Sequence, residues 1–275
     1  MSNGDCHLRH KPSRMRAETE DYIKFLGTAG ARFVVARQLR ASGGVFIRMM
    51  GKSIILDPGP GTLARCARSR PPVDLSSLDA IIVTHTHIDH STDVNVLIDA
   101  MTDGGLKRRG VLFAPNECIH GEDAVVLRYL RSYPRDIVVL EANRQYQIEG
   151  LCFSTSRRHL HPAETYGLIF DLHGRRVSFM VDTRYFPELV EDYRASDVLV
   201  MNVVRYDPHP SAEVMHLCVD DVRRIVSELR PRLTVLTHFG MTMLKAKPWQ
   251  VGAGLTQELG VEVIAASDGM TVGLE

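Results

Sequence analysis

Thr84-His85-Thr86-His87-Ile88-Asp89-His90 gathers three histidines and one aspartate into a single short stretch. It follows an apolar run, Ala80-Ile81-Ile82-Val83, of the length of a buried strand. Beyond it, Ser91, Thr92 and Asp93 offer capping side chains, and Val94, Leu97, Ile98 and Met101 recur at i, i+3, i+4 and i+7, which predicts a helix. The histidines therefore occupy a strand-to-helix loop. Side chains of an extended chain alternate, so His85 and His87 project to one side. Asp89 and His90 lie where the chain turns into the helix and can point elsewhere. One loop can thus feed two metal ions, His85 and His87 to the first, Asp89 and His90 to the second. Neutral imidazole and carboxylate are the usual ligands of zinc and its neighbours.

The pattern His-x-His-x-Asp-His resembles the signature of the metallo-β-lactamase superfamily, and the resemblance runs from about Tyr22 to the C-terminus. It implies an α+β chain folded as an αββα sandwich: two packed mixed β-sheets, helices on both outer faces, and a two-metal site along one edge of the paired sheets. Residues 1–20 read as a flexible N-terminal extension and residues 21–275 as one domain of this fold.

Composition is compatible with that reading. Hydrophobic residues at 44% and charged residues at 24% suit a soluble globular chain. Lys+Arg and Asp+Glu are both 33, and this balance argues against a general nucleic-acid coat protein while leaving room for a local basic patch. No apolar run approaches the length of a bilayer span, so no membrane partner is expected. The first sixteen residues are polar and basic without an apolar signal core, so a cytoplasmic location is expected. Five scattered cysteines, an odd number with no C-x-x-C, fit reduced thiols. Cys6 with His7 and His10 is a minor metal-binding candidate in the tail.

Along the chain, residues 22–26 read as a first strand and 33–35 as the start of a second. Arg37, Gln38, Arg40 and Ser42 form a basic loop, and residues 45–49 and 53–56 a hairpin. Gly51-Lys52-Ser53 is not a P-loop: the glycine required five positions before Gly51 is Phe46, and a strand follows. Asp57-Pro58-Gly59-Pro60-Gly61 is a turn at a strand end. Helices are expected over 62–68, 94–101, 122–130 and 219–229. Strands are expected over 111–114, 137–140, 146–148, 151–155, 166–171, 177–181, 233–236 and 261–265.

The remaining site residues are assigned by the resemblance. An Asp-x-Gly turn precedes the histidine motif in many family members, and Asp57 is read as an anchor accepting a hydrogen bond from a ligand histidine or a backbone amide. His161, six residues before Gly167, is similar to the family's third histidine. His159 shares the segment and competes with it, the other of the two being read as a support behind the ligands or as substrate-facing. Asp182 matches the bridging aspartate and His238 the last metal histidine. Metal one would then take His85, His87 and His161; metal two, Asp89, His90 and His238; Asp182 would bridge. His216 lies just before a late helix, where ribonuclease Z and related phosphodiesterases keep a non-ligand histidine that helps protonate or position the scissile phosphate. Asp89 and His216 are the candidate catalytic residues, and His159, Arg37 and Arg40 the candidate substrate contacts.

Two divalent metals, zinc first with manganese or iron as alternatives, imply hydrolysis by a bridging hydroxide. No G-x-S-x-G elbow suggests a covalent route. A nucleotide or other small phosphodiester is the favoured substrate, for three reasons. Phe25-Leu26-Gly27-Thr28-Ala29-Gly30 resembles the opening of ribonuclease Z and cyclic-phosphodiesterase relatives. Histidines beyond the ligand set can serve a phosphate. Arg37, Arg40, Arg157 and Arg158 offer fork donors. Asp93 stands where ribonuclease Z usually has glycine, and no Gly/Pro-rich arm is evident, so RNA is less favoured than a small or cyclic nucleotide. A thioester or lactone hydrolase of the glyoxalase II type is the alternative, followed by a non-catalytic metal or nucleotide-binding module. A homodimer is compatible with the sequence but not specified by it.

Overall fold

Two seven-stranded sheets face each other in the computed structural model, which describes residues 20–275. Cys6, His7, His10 and the rest of the expected extension up to residue 19 lie outside the described residues. Strands β1 (Tyr22–Phe25), β2 (Val45–Met49), β3 (Lys52–Leu56), β4 (Ala80–Ile82), β5 (Val111–Pro115) and β6 (Asp136–Leu140) build the first sheet. Strands β7 (Gln145–Ile148), β8 (Leu151–Arg158), β9 (Tyr166–Leu172), β10 (Arg175–Met180), β11 (Ser196–Asn202), β12 (Leu233–Thr237) and β13 (Glu262–Ala265) build the second. The last strand, β14 (Thr271–Gly273), returns to the first sheet and pairs antiparallel with β1. The sheet orders are β14-β1-β2-β3-β4-β5-β6 and β13-β12-β11-β10-β9-β8-β7.

Both sheets are mixed in the same way. Strands β1 to β3 pair antiparallel and β3 to β6 parallel. Strands β7 to β10 pair antiparallel and β10 to β13 parallel. Parallel strands need both faces covered, and their sequences show it. In β4, Ala80 and Ile82 pack between the sheets, while Ile81 and the following Val83 face outward. There they meet Val94, Leu97, Ile98 and Met101 of α4 (Val94–Met101), all buried. In β11, Val198 and Val200 point inward, and Leu199 and Met201 join the outer layer. That layer includes Val219, Val222, Ile225 and Val226 of α7 (Val219–Leu229). Each such buried aliphatic side chain contributes roughly 1.5–3 kcal/mol of transfer free energy. Helices therefore cover both outer faces, as the αββα reading requires.

Three local expectations are corrected. Residues 33–35 begin no strand; they lie in a short helix, α1 (Ala31–Ala36), with Val34 buried and Phe33 exposed. The pair of valines favours a strand, but in the helix one of them, Val34, is fully buried while Phe33 stays exposed. Residues 122–130 form no helix. A short helix, α5 (Asn116–His120), precedes them, and a 3-10 turn over Arg128–Ser132 follows. The Asn95 amide donates to Val125 O (2.8 Å) and its carbonyl accepts from Leu127 N–H (2.9 Å), satisfying backbone groups that a helix would have paired. Finally, β11 and β14 are additional to the expected strands. Among the described residues no helix is long and apolar enough to cross a membrane.

Candidate functional site

The loops that leave the carboxyl ends of the parallel strands converge on one edge of the sandwich. From the first sheet, Asp57 follows β3 and the histidine stretch follows β4. From the second, Asp182 follows β10, Asn202 ends β11 and His238 follows β12. His161 arrives from the β8–β9 connection. Such carboxyl-end crevices are where open α/β sheets habitually bind ligands.

Two glycines allow the loops to close. A Cβ on Gly30 would lie 2.1 Å from the His238 carbonyl oxygen, and one on Gly59 would lie 2.1 Å from the Asp89 carbonyl oxygen. His238 and Asp57 both adopt left-handed backbone, with φ of 61° and 51°. For non-glycine residues such conformations cost free energy and tend to gather at functional sites.

The candidate ligands cluster as two groups with Asp182 between them. His85, His87 and His161 can place ligand atoms within 4.8 Å of one another, and so can Asp89, His90 and His238. Asp182 joins His85 and His90 in one further group, and His161 and His216 in another. Its Oδ1 is 3.4 Å from His238 Nε2, and its Oδ2 is 3.6 Å from His90 Nε2. Asp89 Oδ2 is 3.6 Å from His238 Nε2. Across the first group His87 Nδ1 and His161 Nε2 are 3.0 Å apart; across the second, His90 Nε2 and His238 Nε2 are 3.3 Å apart.

Donor counting tests whether cations fit here. Asp57 accepts Thr84 N–H at Oδ1 (2.7 Å), and Thr84 Oγ1–H (2.8 Å) and His90 Nδ1–H (2.9 Å) at Oδ2. With its hydroxyl hydrogen given to Asp57, Thr84 Oγ1 accepts from His85 Nδ1–H (3.0 Å). His161 Nδ1–H donates to Met215 O (3.3 Å). In neutral imidazoles these bonds leave the Nε2 lone pairs of His85, His90 and His161 facing the cluster. His85 Nε2 is buried and has no protein partner, which is the state expected of a metal-binding nitrogen. Asp57 thus sets the tautomer of one ligand histidine directly and of another through Thr84.

Charge points the same way. Burial holds His85 well below the ordinary histidine range, and burial likewise depresses His87 and His161. Burial also opposes charge on His90, but Asp89, Asp182 and Asp57 override it and hold the imidazole well above its ordinary value. Burial would raise Asp182, yet His238 and His90 keep it well below the carboxylate range. The carboxylates here draw positive charge into a buried site. Divalent cations meet that demand with ligands that are already deprotonated.

His216 sits at the lip of the cluster, its Nδ1 buried, 3.5 Å from Asp182 Oδ2 and without a hydrogen-bond partner. Burial lowers its pKa, with Asp182 acting in the opposite direction.

Some expected contacts are not at the cluster. His159 is buried behind Asp182: its Nδ1 lies 3.2 Å from Asp182 O and its Nε2 2.8 Å from the Tyr193 hydroxyl. Burial lowers its pKa to about 4, so it is a neutral strut beneath Asp182. Arg157 is occupied by Asp192 (2.9 Å) and Glu191 (2.8 Å). Arg37 closes α1, which packs beside α3 (Ile88–Ser91), and Arg40 lies on the loop beyond. Neither arginine forms an ion pair with the cluster among the described residues. Conversely, Asn202 was not anticipated. Its Nδ2 donates to Asp182 Oδ1 at 2.8 Å and fixes that carboxylate. The signal was positional: Asn202 is the polar end of an apolar strand.

Comparison with known proteins identifies the family. Residues 52–239 match the family described as the β-lactamase superfamily domain. An uncharacterized protein of Methanocaldococcus jannaschii is 28% identical over 260 residues, covering 92% of this chain and 94% of its own. Ribonuclease Z of Methanopyrus kandleri is 24% identical over 285 residues, covering 93% and 98%. A crystal structure described as a new diphosphatase from the PhnP family superposes with a TM-score of 0.69 at 21% identity, over 93% of this chain and 97% of that one. The chain belongs to the metallo-β-lactamase superfamily of metal-dependent hydrolases and is related to ribonuclease Z.

Proposed function

We propose that the protein is a dinuclear metal-dependent phosphodiesterase acting on a nucleotide or other small phosphodiester. The observation that carries the reading is His216, an imidazole with an unpartnered buried Nδ1 at the lip of an otherwise sufficient ligand set. The ribonuclease Z relative and the likeness to a diphosphatase support phosphorus-oxygen chemistry. The free thiols of Cys66, Cys118, Cys152 and Cys218 accord with a reducing, cytoplasmic setting.

His85, His87 and His161 would hold one cation and Asp89, His90 and His238 the other, with Asp182 shared. Zinc is favoured by the histidine-rich donors, and manganese or iron would also be accepted. Bound there, two such cations would acidify a water and offset charge on the phosphoryl oxygens. The chain's own residues do the rest. Asp57 and Thr84 orient the imidazoles, and Asn202 holds Asp182. Asp89 lies beside His90 and His238, where a carboxylate oxygen can accept a hydrogen bond from the attacking water. His216 donates a hydrogen bond or proton to the departing oxygen. A bound phosphate anion beside it raises its pKa and so favours the donor form.

Two measurements test this. A metal-defined preparation should turn over bis(p-nitrophenyl) phosphate faster than a thioester or a lactone; the reverse order would favour the glyoxalase II type of reaction. His216→Ala should keep its metal and lose roughly 10²–10⁴-fold on an alkyl or ribose phosphodiester, whose alkoxide needs a proton. It should lose far less on a p-nitrophenyl ester. Equal loss on both would mean that His216 positions substrate instead, and loss of metal would make it a ligand.

A further inference from the structure

We propose that Arg184 is the residue that binds the non-bridging oxygens of the anionic substrate, an inference that rests on the phosphodiesterase reading. Arg184 follows Asp182 by two residues. Its backbone N–H donates to Leu160 O at 2.9 Å, next to His161. Its Nη1 donates to Ala212 O at 3.2 Å, on the segment that runs to His216. One residue is therefore tied to both neighbouring segments, by its backbone to the one that carries His161 and by its side chain to the one that runs to His216.

The guanidinium is also unsatisfied in charge. A backbone carbonyl takes one of its five N–H donors and supplies no counter-charge. Among the described residues no carboxylate lies within ion-pair distance of it. By contrast Arg135, Arg157 and Arg223 are each paired with acidic side chains. Arg184 is half-buried and anchored beside the segments that carry Asp182 and His161, so its uncompensated charge is best met by an anion that arrives with the substrate. A phosphodiester presents two charged oxygens in the geometry that a planar fork takes up. A lactone or thioester group is itself neutral and offers no such pair of charged oxygens at the reacting centre. The bond to Ala212 adds a consequence: occupancy of the guanidinium is coupled to the placement of the His216 segment.

Arg184→Ala and Arg184→Lys, each confirmed to carry the wild-type metal content, test the assignment. Binding of inorganic phosphate to the metal-loaded protein is measured by calorimetry. Hydrolysis of bis(p-nitrophenyl) phosphate is compared with that of neutral p-nitrophenyl acetate. Removing a charge-assisted hydrogen-bonding group should weaken phosphate binding by about 10- to 100-fold. KM for the diester should rise in parallel and the neutral ester should be nearly unaffected, while lysine restores part of the loss. Unchanged phosphate affinity in Arg184→Ala would overturn the proposal, as would equal losses on both esters, which would leave Arg184 as a mere latch on Ala212. If the wild type fails on the diester altogether, the phosphodiesterase reading falls. The phosphate-binding comparison still decides whether Arg184 binds the anion.

Discussion

The two sheets equip the site by different routes. The first supplies four candidate ligands, His85, His87, Asp89 and His90, from one loop, with Asp57 on the neighbouring strand end as their common anchor. The second supplies His161, Asp182 and His238 from three separate connections, and Asn202 from a fourth. The first half is therefore ordered by local geometry, one strand feeding one helical turn. The second half exists only when β8 to β12 are paired in register. A local half tolerates the loss of one anchor better than a dispersed half tolerates the loss of the residue where its connections meet.

That contrast can be broken by substitution. Asp182→Asn should be the most damaging, because this carboxylate adjoins both ligand groups. Activity should fall by about 10³-fold or more, as Lewis-acid stabilisation contributes several kcal/mol. Kinetics with metal analysis checks this, and an Asp182→Asn variant that stays active with full metal would show the two halves to be independent. Asp57→Asn should weaken metal affinity by roughly 10- to 100-fold, the usual consequence of removing a carboxylate that orients ligand histidines. Competition with a chromophoric chelator measures it. Asn202→Ala should cost about tenfold in the same assay, the lower end of that range, since it removes a single neutral donor to Asp182. His159→Ala should leave metal content near that of the wild type while lowering stability by about 1–3 kcal/mol, because the Tyr193 hydroxyl and the Asp182 carbonyl lose a buried partner. Urea unfolding of the metal-loaded protein reads the second effect, and loss of metal in this variant would restore His159 as a ligand.

The same contrast explains what the sequence discloses. The histidine stretch is legible because its spacing, its preceding strand and its following helix are all local, and α4 and α7 occur at their expected bounds. The αββα architecture is equally legible, through the resemblance that the stretch carries. His159 and His161 are not distinguished by spacing, since an extended chain would put both on one face. The structure separates them because the β8–β9 register shifts between Thr155 and Arg158, and because His159 N–H then closes a turn on Thr165 O (2.9 Å). His159 is turned under Asp182 and His161 toward His87. Asn202, marked only by its place at the end of an apolar run, and Arg184 are hard to read for a related reason. One terminates a strand that no turn signal announces, and the other matters only through partners 24 and 28 positions away in sequence, Leu160 and Ala212. The 122–130 segment misleads in the opposite direction, because a helical apolar spacing is overruled by one side chain, Asn95, that satisfies its backbone.

On the proposed reading a pair of cations is shared across the two sheets. Anomalous diffraction at the metal absorption edge, from crystals of protein purified without chelator, tests it most directly. The expected result is two peaks, one enclosed by His85, His87 and His161, the other by Asp89, His90 and His238, with Asp182 between them. A single peak, or a metal held by His161, Asp182 and His216 in place of the first group, would contradict it.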